Sequence, residues 1–539
     1  MKISKIPVTL ALLGVLAGGA GCEKFLDVNT DPINPVDVNI DLLMTTTQTA
    51  MGIYLGHNVL GLSQYTSALM QQIINGRVGT YGLTGETFNN SWQGLYISTL
   101  SNNEAIIEKG TATNAWTHVG VAQIQKAHVV SQMVDMWGDI PYSEALRGSQ
   151  TSATNFNAPR FDDDAEIYAD LFRLIDEGIA NLQRTDASRP LGGDDLIYGG
   201  NRDKWIRLGN TLKLKLYNQV RLVQDVRAQV TPLLAQNLIT AADDFEFRFS
   251  TGSGPENRHP GFQGDYAGSG RENGVNRFFY DLMRTTGGAT PDPRIPYYFF
   301  NQYTLNTPSA IADYQEGRFI TVQFGSNGPQ ANTNNANVRT LQGLYPIGGR
   351  YDNGAGLAAG ATGASARGNV PQRFITFFAR KFIEAELQLM VLGNQAAART
   401  AFSDAVTASF NKINSIITTT NPQDAAQSYT VPQIPAATIT AYVTAALARY
   451  DAAVGDEAKL NVIMTEKYIA NYGTGTDVYT DYRRTGYPRI PYSDLPAYPG
   501  TVQTGAFPVR LTYRNNDLLT NQNAPAQPNV TTDKVFWDR

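Results

Sequence analysis

Residues 373–413, "RFITFFARKFIEAELQLMVLGNQAAARTAFSDAVTASFNKI", constrain the fold more than any other part of the chain. Phe374, Phe378, Phe382, Ala385, Leu389 and Leu392 recur at steps of three or four. That is the helical period, and it gathers them on one face. Gly393-Asn394 supplies a turn, and Ala398, Phe402, Ala405 and Ser409 then repeat the period on a second helix. Small Ala facing large Phe permits close antiparallel packing, so the stretch predicts a helical hairpin. Its Ala-x-x-x-Phe second helix resembles one tetratricopeptide-type unit. No clean 34-residue array accompanies it, so any further repeats are degenerate.

The same period recurs on both sides. In "WQGLYISTLSNNEAIIEKG" it links Trp92, Leu95, Tyr96, Thr99, Asn103, Ile106 and Ile107. In "VAQIQKAHVVSQMVDMWGDIPY" it links Ile124, Ala127, Val130, Val134 and Trp137, with Gly138 and Pro141 as the stop. "FDDDAEIYADLFRLIDEGIANL" opens on Asp162–Asp164, whose carboxylates are expected to cap the helix rather than hold a metal. "RDKWIRLGNTLKLKLYNQVRLV" and "EAKLNVIMTEKYIANYG" are further helices. Between 241 and 372 the period fades into Gly, Pro, Asn and aromatics, with room for short strands at Phe245–Phe249 and Phe319–Phe324. Long irregular stretches inside a large chain tend to carry function. The fold class expected is mainly α: a tetratricopeptide-like helical-hairpin scaffold with long loop-rich insertions and little β.

One cysteine, Cys22, stands in 539 residues, which rules out intramolecular disulfides and zinc-thiolate clusters. Before it come Lys2 and Lys5, an apolar run from Ile6 to Ala17 broken by Thr9, and the small residues Gly18-Gly19-Ala20-Gly21. That is the layout of an export signal, too short for a comfortable membrane span. It resembles a bacterial lipoprotein signal, in which cleavage leaves the cysteine first and acyl chains, palmitate included, on its thiol. The usual Leu three residues before the cysteine is Gly19 here, with Leu16 further back. "DVNTDP" begins like a calcium loop at Asp27, Asn29 and Asp31, but Pro32 stands where Gly is required and Val38 where Glu closes the loop. It is read as turns in a tether over 22–40.

The 43 Lys and Arg against 48 Asp and Glu include no basic run suited to nucleic acid. His57, His118, His128 and His259 form no metal or catalytic motif and are expected in core or solvent-facing roles. No Gly-x-Ser-x-Gly elbow or phosphate-cradling loop is present. Tyr, at 27 residues, is abundant, a composition that serves a large core or a binding surface equally.

Six segments in order carry a wider resemblance: "CEKFLDVNTDPINP", "DMWGDIPYSEAL", "LIYGGNRDKWIRLGNTLKLKL", "FARKFIEAELQL", "EKYIANYGTGTDVYTDYRRTGYPRI" and "FPVRLTYRNNDLLTNQ". Together they resemble the SusD/RagB-like nutrient-binding outer-membrane lipoproteins of Bacteroidetes, in the SusD-like branch with an Arg-Arg-Thr-Gly-x-Pro segment. Near the end Arg510 and Tyr513 match the family's Arg-x-x-Tyr-Pro-x-x-Glu pattern, while Arg514 replaces Pro and Asp517 replaces Glu. The same tail docking is expected, with an altered turn.

The resemblance implies a signal peptide over 1–21, a lipidated tether over 22–40 and one domain over 41–539. That domain would be helical over 41–240, loop-rich over 241–372, and helical and looped beyond. It implies a non-catalytic, lipid-anchored protein of the outer membrane, facing the cell surface. Such a protein binds oligosaccharides or peptides and serves as a hinged lid on a TonB-dependent SusC-like transporter. Nucleic acid is not a partner. No cofactor is called for, and a structural calcium ion is left open. The rival readings are an exported hydrolase of glycans or peptides and a tetratricopeptide-like module that binds only proteins. Arg483 and Arg484 are expected in structural ion pairs. A sugar site needs flat aromatic faces plus amide, carboxylate and guanidinium partners for hydroxyls. Asn75, Arg77, Tyr81 and Trp92 offer these in one segment, and Tyr266, Tyr345, Arg350 and Tyr351 in the middle region.

Overall fold

In the computed structural model the described residues are 38–75, 80–147, 157–267, 271–288, 290–302, 314–316, 319–325, 340–356, 366–420, 430–490 and 505–539. The signal segment, Cys22, the tether up to residue 37 and Arg77 lie outside them, as do parts of the loop-rich insertion.

The helical segments read from the sequence form helices. α1 (Ile40–Tyr54) starts at Asn39, whose side chain accepts from Asp41 N. α2 (Leu62–Leu69) and α3 (Asn89–Gly94) follow, then a π-helical turn over Leu95–Leu100 that continues into α4 (Ser101–Ala112). α5 (Trp116–Trp137), α6 (Asp164–Gln183), α7 (Arg202–Val220) and α8 (Arg227–Leu234) complete the first helical part. α9 (Arg277–Thr286) lies in the insertion. The second helical part holds α10 (Phe377–Met390), α11 (Gln395–Thr420), α12 (Ala436–Ala452), α13 (Asp456–Ala470) and α14 (Gly475–Thr485). A short α15 (Asn515–Thr520) sits in the tail.

The strands among the described residues form two-stranded antiparallel ladders, each joining segments too short to stand alone. Phe245–Arg248 pairs with Pro371–Ile375, Ile73–Asn75 with Asn273–Val275, and Ile140–Pro141 with Phe161–Asp162. Phe299–Asn301 pairs with Thr340–Gln342, and Tyr314–Glu316 with Phe319–Thr321. The expected strands at Phe245 and Phe319 are therefore real. Phe374 departs from its expected place on the first hairpin helix: it lies in the Pro371–Ile375 strand, and the helix begins after the Thr376 cap. Its ring still packs on the core, 5.0 Å from Phe245.

Two antiparallel pairs dominate the packing, α5 against α6 and α10 against α11. The first depends on paired glycines. A Cβ on Gly120 would lie 2.6 Å from the Gly178 carbonyl oxygen, and one on Gly178 would lie 3.0 Å from the Gly120 oxygen. Backbones can approach this closely only without side chains between them. In the second pair Ala398, Phe402 and Ala405 are fully buried, as the spacing predicts.

The tail docks on α5. Leu511 N donates to Met136 O, Trp137 Nε1 donates to Thr512 O, and the fully buried Trp537 donates through Nε1 to Asp135. Arg510 reaches Tyr513 Oη at 2.7 Å, and that hydroxyl donates to Asp139 O. At the two departures from the family pattern, Arg514 and Asp517 pair with each other at 3.2 Å. Arg484 is ion-paired with Glu386 and Asp481, whereas Arg483 donates to the carbonyls of Asp135 and Val509.

Candidate functional site

α5 ends where Gly138 adopts φ +72, and the chain turns into the Ile140–Pro141 strand. Asp162, opposite Ile140, folds the turn that follows. Its carboxylate accepts from Tyr142 N, Ser143 N, Ser143 Oγ and Arg160 Nε at 2.6 to 3.0 Å. The three consecutive aspartates thus do different work. Asp163 alone caps α6, accepting from Ala165 N and Glu166 N. Asp164 accepts from Phe536 N and is pushed up to about 6, chiefly by burial. Only Asp163 meets the capping expectation.

The turn forms one wall of two adjoining clefts. The smaller encloses about 250 Å³ and is lined by Trp92, Tyr96, Ile97, Pro141, Leu146 and Phe161, with Arg514, Asp517, Asn157 and Asn521 at its polar side. The π-helical turn supplies Tyr96 and Ile97; such turns are frequent at functional sites. Tyr96 is fixed by its hydroxyl, which donates to Pro141 O at 2.7 Å. Trp92 is packed at 5.0 Å edge-on to Trp137, and Phe161 lies nearly parallel to it at 6.4 Å. Ile97 is 61% exposed. The result is an aromatic floor beside an open aliphatic edge, with a guanidinium, a carboxylate and amides within the same cleft.

The larger cleft, about 650 Å³, shares Ala145 and Leu146 with the first. Leu146 has φ +66, a strained conformation for a bulky residue and one that clusters at functional sites. This cleft is polar and internally paired. Lys126 meets Glu104 at 2.6 Å, and Tyr142 donates to Asp170 at 2.6 Å. Burial alone would push Asp170 upward, but hydrogen bonds from Arg173 and Tyr142 hold it below its usual value.

Of the residues nominated from the sequence, Trp92 borders the smaller cleft, but its side chain is only 3% exposed, so it backs the cleft while Tyr96, Ile97 and Phe161 supply the reachable surface. Asn75 is buried and donates to Asn273 Oδ1 at 2.8 Å. Asn273 in turn donates through N and Nδ2 to Asp265, whose other oxygen accepts from Gln342 Nε2, and Gln342 Oε1 faces His57 Nε2 at 2.6 Å. Burial pushes Asp265 up to about 7 and His57 down to about 4. Tyr81 accepts from Gln71 and packs on Phe324 and Phe507. Tyr266 stacks on Phe262 at 5.2 Å and donates to Gln342 O. Tyr345 stacks on Tyr298, with the Arg373 guanidinium 4.1 Å from its ring centre. These four are scaffold: their polar atoms are committed inside and their side chains are 3% exposed or less. Arg350 and Tyr351 are half-buried against Phe300 and Tyr297 and line neither cleft. Arg77 lies outside the described residues. All four histidines are buried, as their core reading expects.

The sequence places Tyr96 on a helical face without marking it as a site residue, and it marks neither Ile97 nor Phe161. The available signal was the apolar Leu-Tyr-Ile run beside Trp92, hidden because a helical face reads as core.

A family described as "Starch-binding associating with outer membrane", of SusD-like proteins, matches residues 33–514. Among solved structures, a SusD/RagB family protein from Bacteroides thetaiotaomicron is similar with 20% identity and a TM-score of 0.68, covering 93% of this chain and 99% of that one. A SusD homologue from Bacteroides fragilis has 19% identity and a TM-score of 0.63, covering 88% and 94%. A chitin-binding protein has 21% identity and a TM-score of 0.67, covering 93% and 100%. No curated protein sequence matches the chain.

Proposed function

Because the chain belongs to the SusD-like family of starch-binding, outer-membrane-associated proteins, we propose that it is a nutrient-binding subunit that captures oligosaccharides in the cleft of Trp92, Tyr96, Ile97 and Phe161. The observation that carries this reading is the open aromatic and aliphatic surface set beside Arg514, Asp517, Asn157 and Asn521. Sugar rings present C–H faces to aromatic surfaces and hydroxyls to charged and amide groups. The family's description as starch-binding supports a saccharide over a peptide.

On this reading residues 1–21 are removed, Cys22 is lipidated, residues 22–40 tether the body, and residues 41–539 form one domain on the cell surface. No helix among the described residues is long and apolar enough to cross a membrane; on this reading the lipid on Cys22 holds the protein there. Captured ligand is passed to a TonB-dependent SusC-like transporter, with this protein as its hinged lid and without covalent chemistry. The test is calorimetry of the protein against malto- and chito-oligosaccharides, with chromatography of the ligands after incubation. Saturable binding with intact ligand is expected; cleavage products would make it a hydrolase.

A further inference from the structure

Away from both clefts, three side chains are arranged as metal ligands are. Asp41 lies in the first turn of α1, His118 in the first turn of α5, and Asp194 in the loop before α7. His118 Nε2 is 2.9 Å from Asp194 Oδ2 and 3.4 Å from Asp41 Oδ1. The donor atoms of all three lie within 4.8 Å of one another. Ligands held about 2.0–2.2 Å from zinc sit about 3 Å apart at a right angle and about 3.4 Å apart at the tetrahedral angle. The two imidazole–carboxylate spacings match those edges.

Two further observations separate this group from an ordinary cluster of charges. Each carboxylate is gripped from behind through its other oxygen: Arg189 Nη2 donates to Asp41 Oδ2 at 2.5 Å, and Gly192 N donates to Asp194 Oδ1 at 2.9 Å. Such outer partners orient ligands in metal sites. Second, Asp41 Oδ1, which faces the imidazole, is buried and has no hydrogen-bond partner. A buried acceptor left without a donor is costly, and a cation between the three atoms would satisfy it. His118 is fully buried, while the Asp41 and Asp194 side chains keep 32% and 15% of their surface exposed, which leaves a path for an ion. Nδ1 of His118 is buried without a hydrogen-bond partner, so the hydrogen bond to Asp194 is what holds the proton on Nε2 while no ion is bound.

We propose that Asp41, His118 and Asp194 form a binding site for one divalent first-row transition ion. The imidazole ligand favours zinc over calcium, which prefers oxygen-only sites, and water completes the coordination. On binding, the Nε2 proton is released and Nδ1 takes one up, so the ring stays neutral and the freed Nε2 lone pair takes the ion; the Nδ1–H then lacks an acceptor, a cost that ligation must outweigh. The ion would fasten the start of α1 to α5 and the loop before α7. None of the three residues lines either cleft, so the site stands apart from the oligosaccharide reading.

The test is titration of the untagged, full-length protein in detergent, stripped with EDTA, by zinc chloride and in parallel by calcium chloride. Calorimetry should show one zinc per chain, weaker calcium binding, and a melting temperature raised by zinc. Asp41→Asn, Asp194→Asn and His118→Gln should each weaken zinc binding at least tenfold. Asp41→Asn, at a partly exposed position, should keep the melting temperature of the metal-free protein, which separates lost ligation from lost folding. No saturable zinc uptake at millimolar concentration, uptake unchanged by the three substitutions, or calcium bound as tightly as zinc would each overturn the proposal.

Discussion

Asp265→Asn should reverse part of the pH dependence of stability. Asp265 sits in the π-helical turn Gln263–Ala267, fully buried, with three neutral donors and burial that pushes its carboxyl up to about 7 from 3.8. A carboxyl whose folded value is raised binds a proton in the folded state that the unfolded chain releases. Its stabilisation is therefore complete below about pH 4 and is lost as pH rises through about 7. One unit is worth about 1.4 kcal/mol. Between pH 5 and pH 7 the group should cost the native protein about 2 kcal/mol, a cost the asparagine variant escapes.

The new amide would face Gln342 Nε2, so Gln342 must turn over and present its oxygen. His57, held near 4 by burial, can then accept through Nε2 and keep its proton on Nδ1, which faces Ser67 Oγ at 3.5 Å. The assay is urea denaturation of both proteins at pH 5 and pH 7. Asp135 and Asp164, each pushed up to about 6, titrate in the same window but cancel in the difference between proteins. The variant should gain on the native protein by about 2 kcal/mol from pH 5 to pH 7. A difference that stays constant would refute the claim that Asp265 is a buried, unneutralised carboxyl.

Glu386 is fully buried between Arg484 and Arg221, and burial pulls Arg221 down to about 10. Glu386→Gln should cost about 3–5 kcal/mol by chemical denaturation, because it strands buried guanidinium charge. Gly120→Ala drives a methyl against the Gly178 oxygen and should cost about 1–3 kcal/mol, while Gly193→Ala, which meets nothing within 4 Å, should stay within about 0.5 kcal/mol of native. Cys22→Ala should move the protein from the membrane fraction to the soluble one, since stable anchoring takes more than one acyl chain on the protein; retention in the membrane would refute the lipid anchor.

The helical scaffold was legible because its helices are amphipathic: Ile124, Ala127, Val130 and Val134 recur at helical spacing and are all buried in α5. The stop at Gly138 was equally plain, since Gly there takes a positive φ. Phe374 was misplaced because a buried strand leading straight into a helix keeps hydrophobic spacing that also fits the helix. The site was harder. Asn75, Tyr81, Tyr266 and Tyr345 carry the same atoms a sugar contact needs, but those atoms bond one another inside, and pairing across distances such as Asn75 to Asn273 leaves no local trace in the sequence. The π-helical turn at Leu95–Leu100, which gives the cleft Tyr96 and Ile97, differs from an α-helix by backbone geometry that composition does not encode. Asp41, His118 and Asp194 likewise meet only through the fold.

Saccharide docking in the cleft is tested most directly by one comparison: calorimetric titration of the native protein and Ile97→Asp with the best oligosaccharide of the malto and chito series. Ile97 is 61% exposed, so its replacement should leave the melting temperature unchanged while the carboxylate replaces the apolar edge. A dissociation constant raised at least tenfold in the variant is the predicted result; equal affinity in the two proteins would contradict the assignment of the cleft.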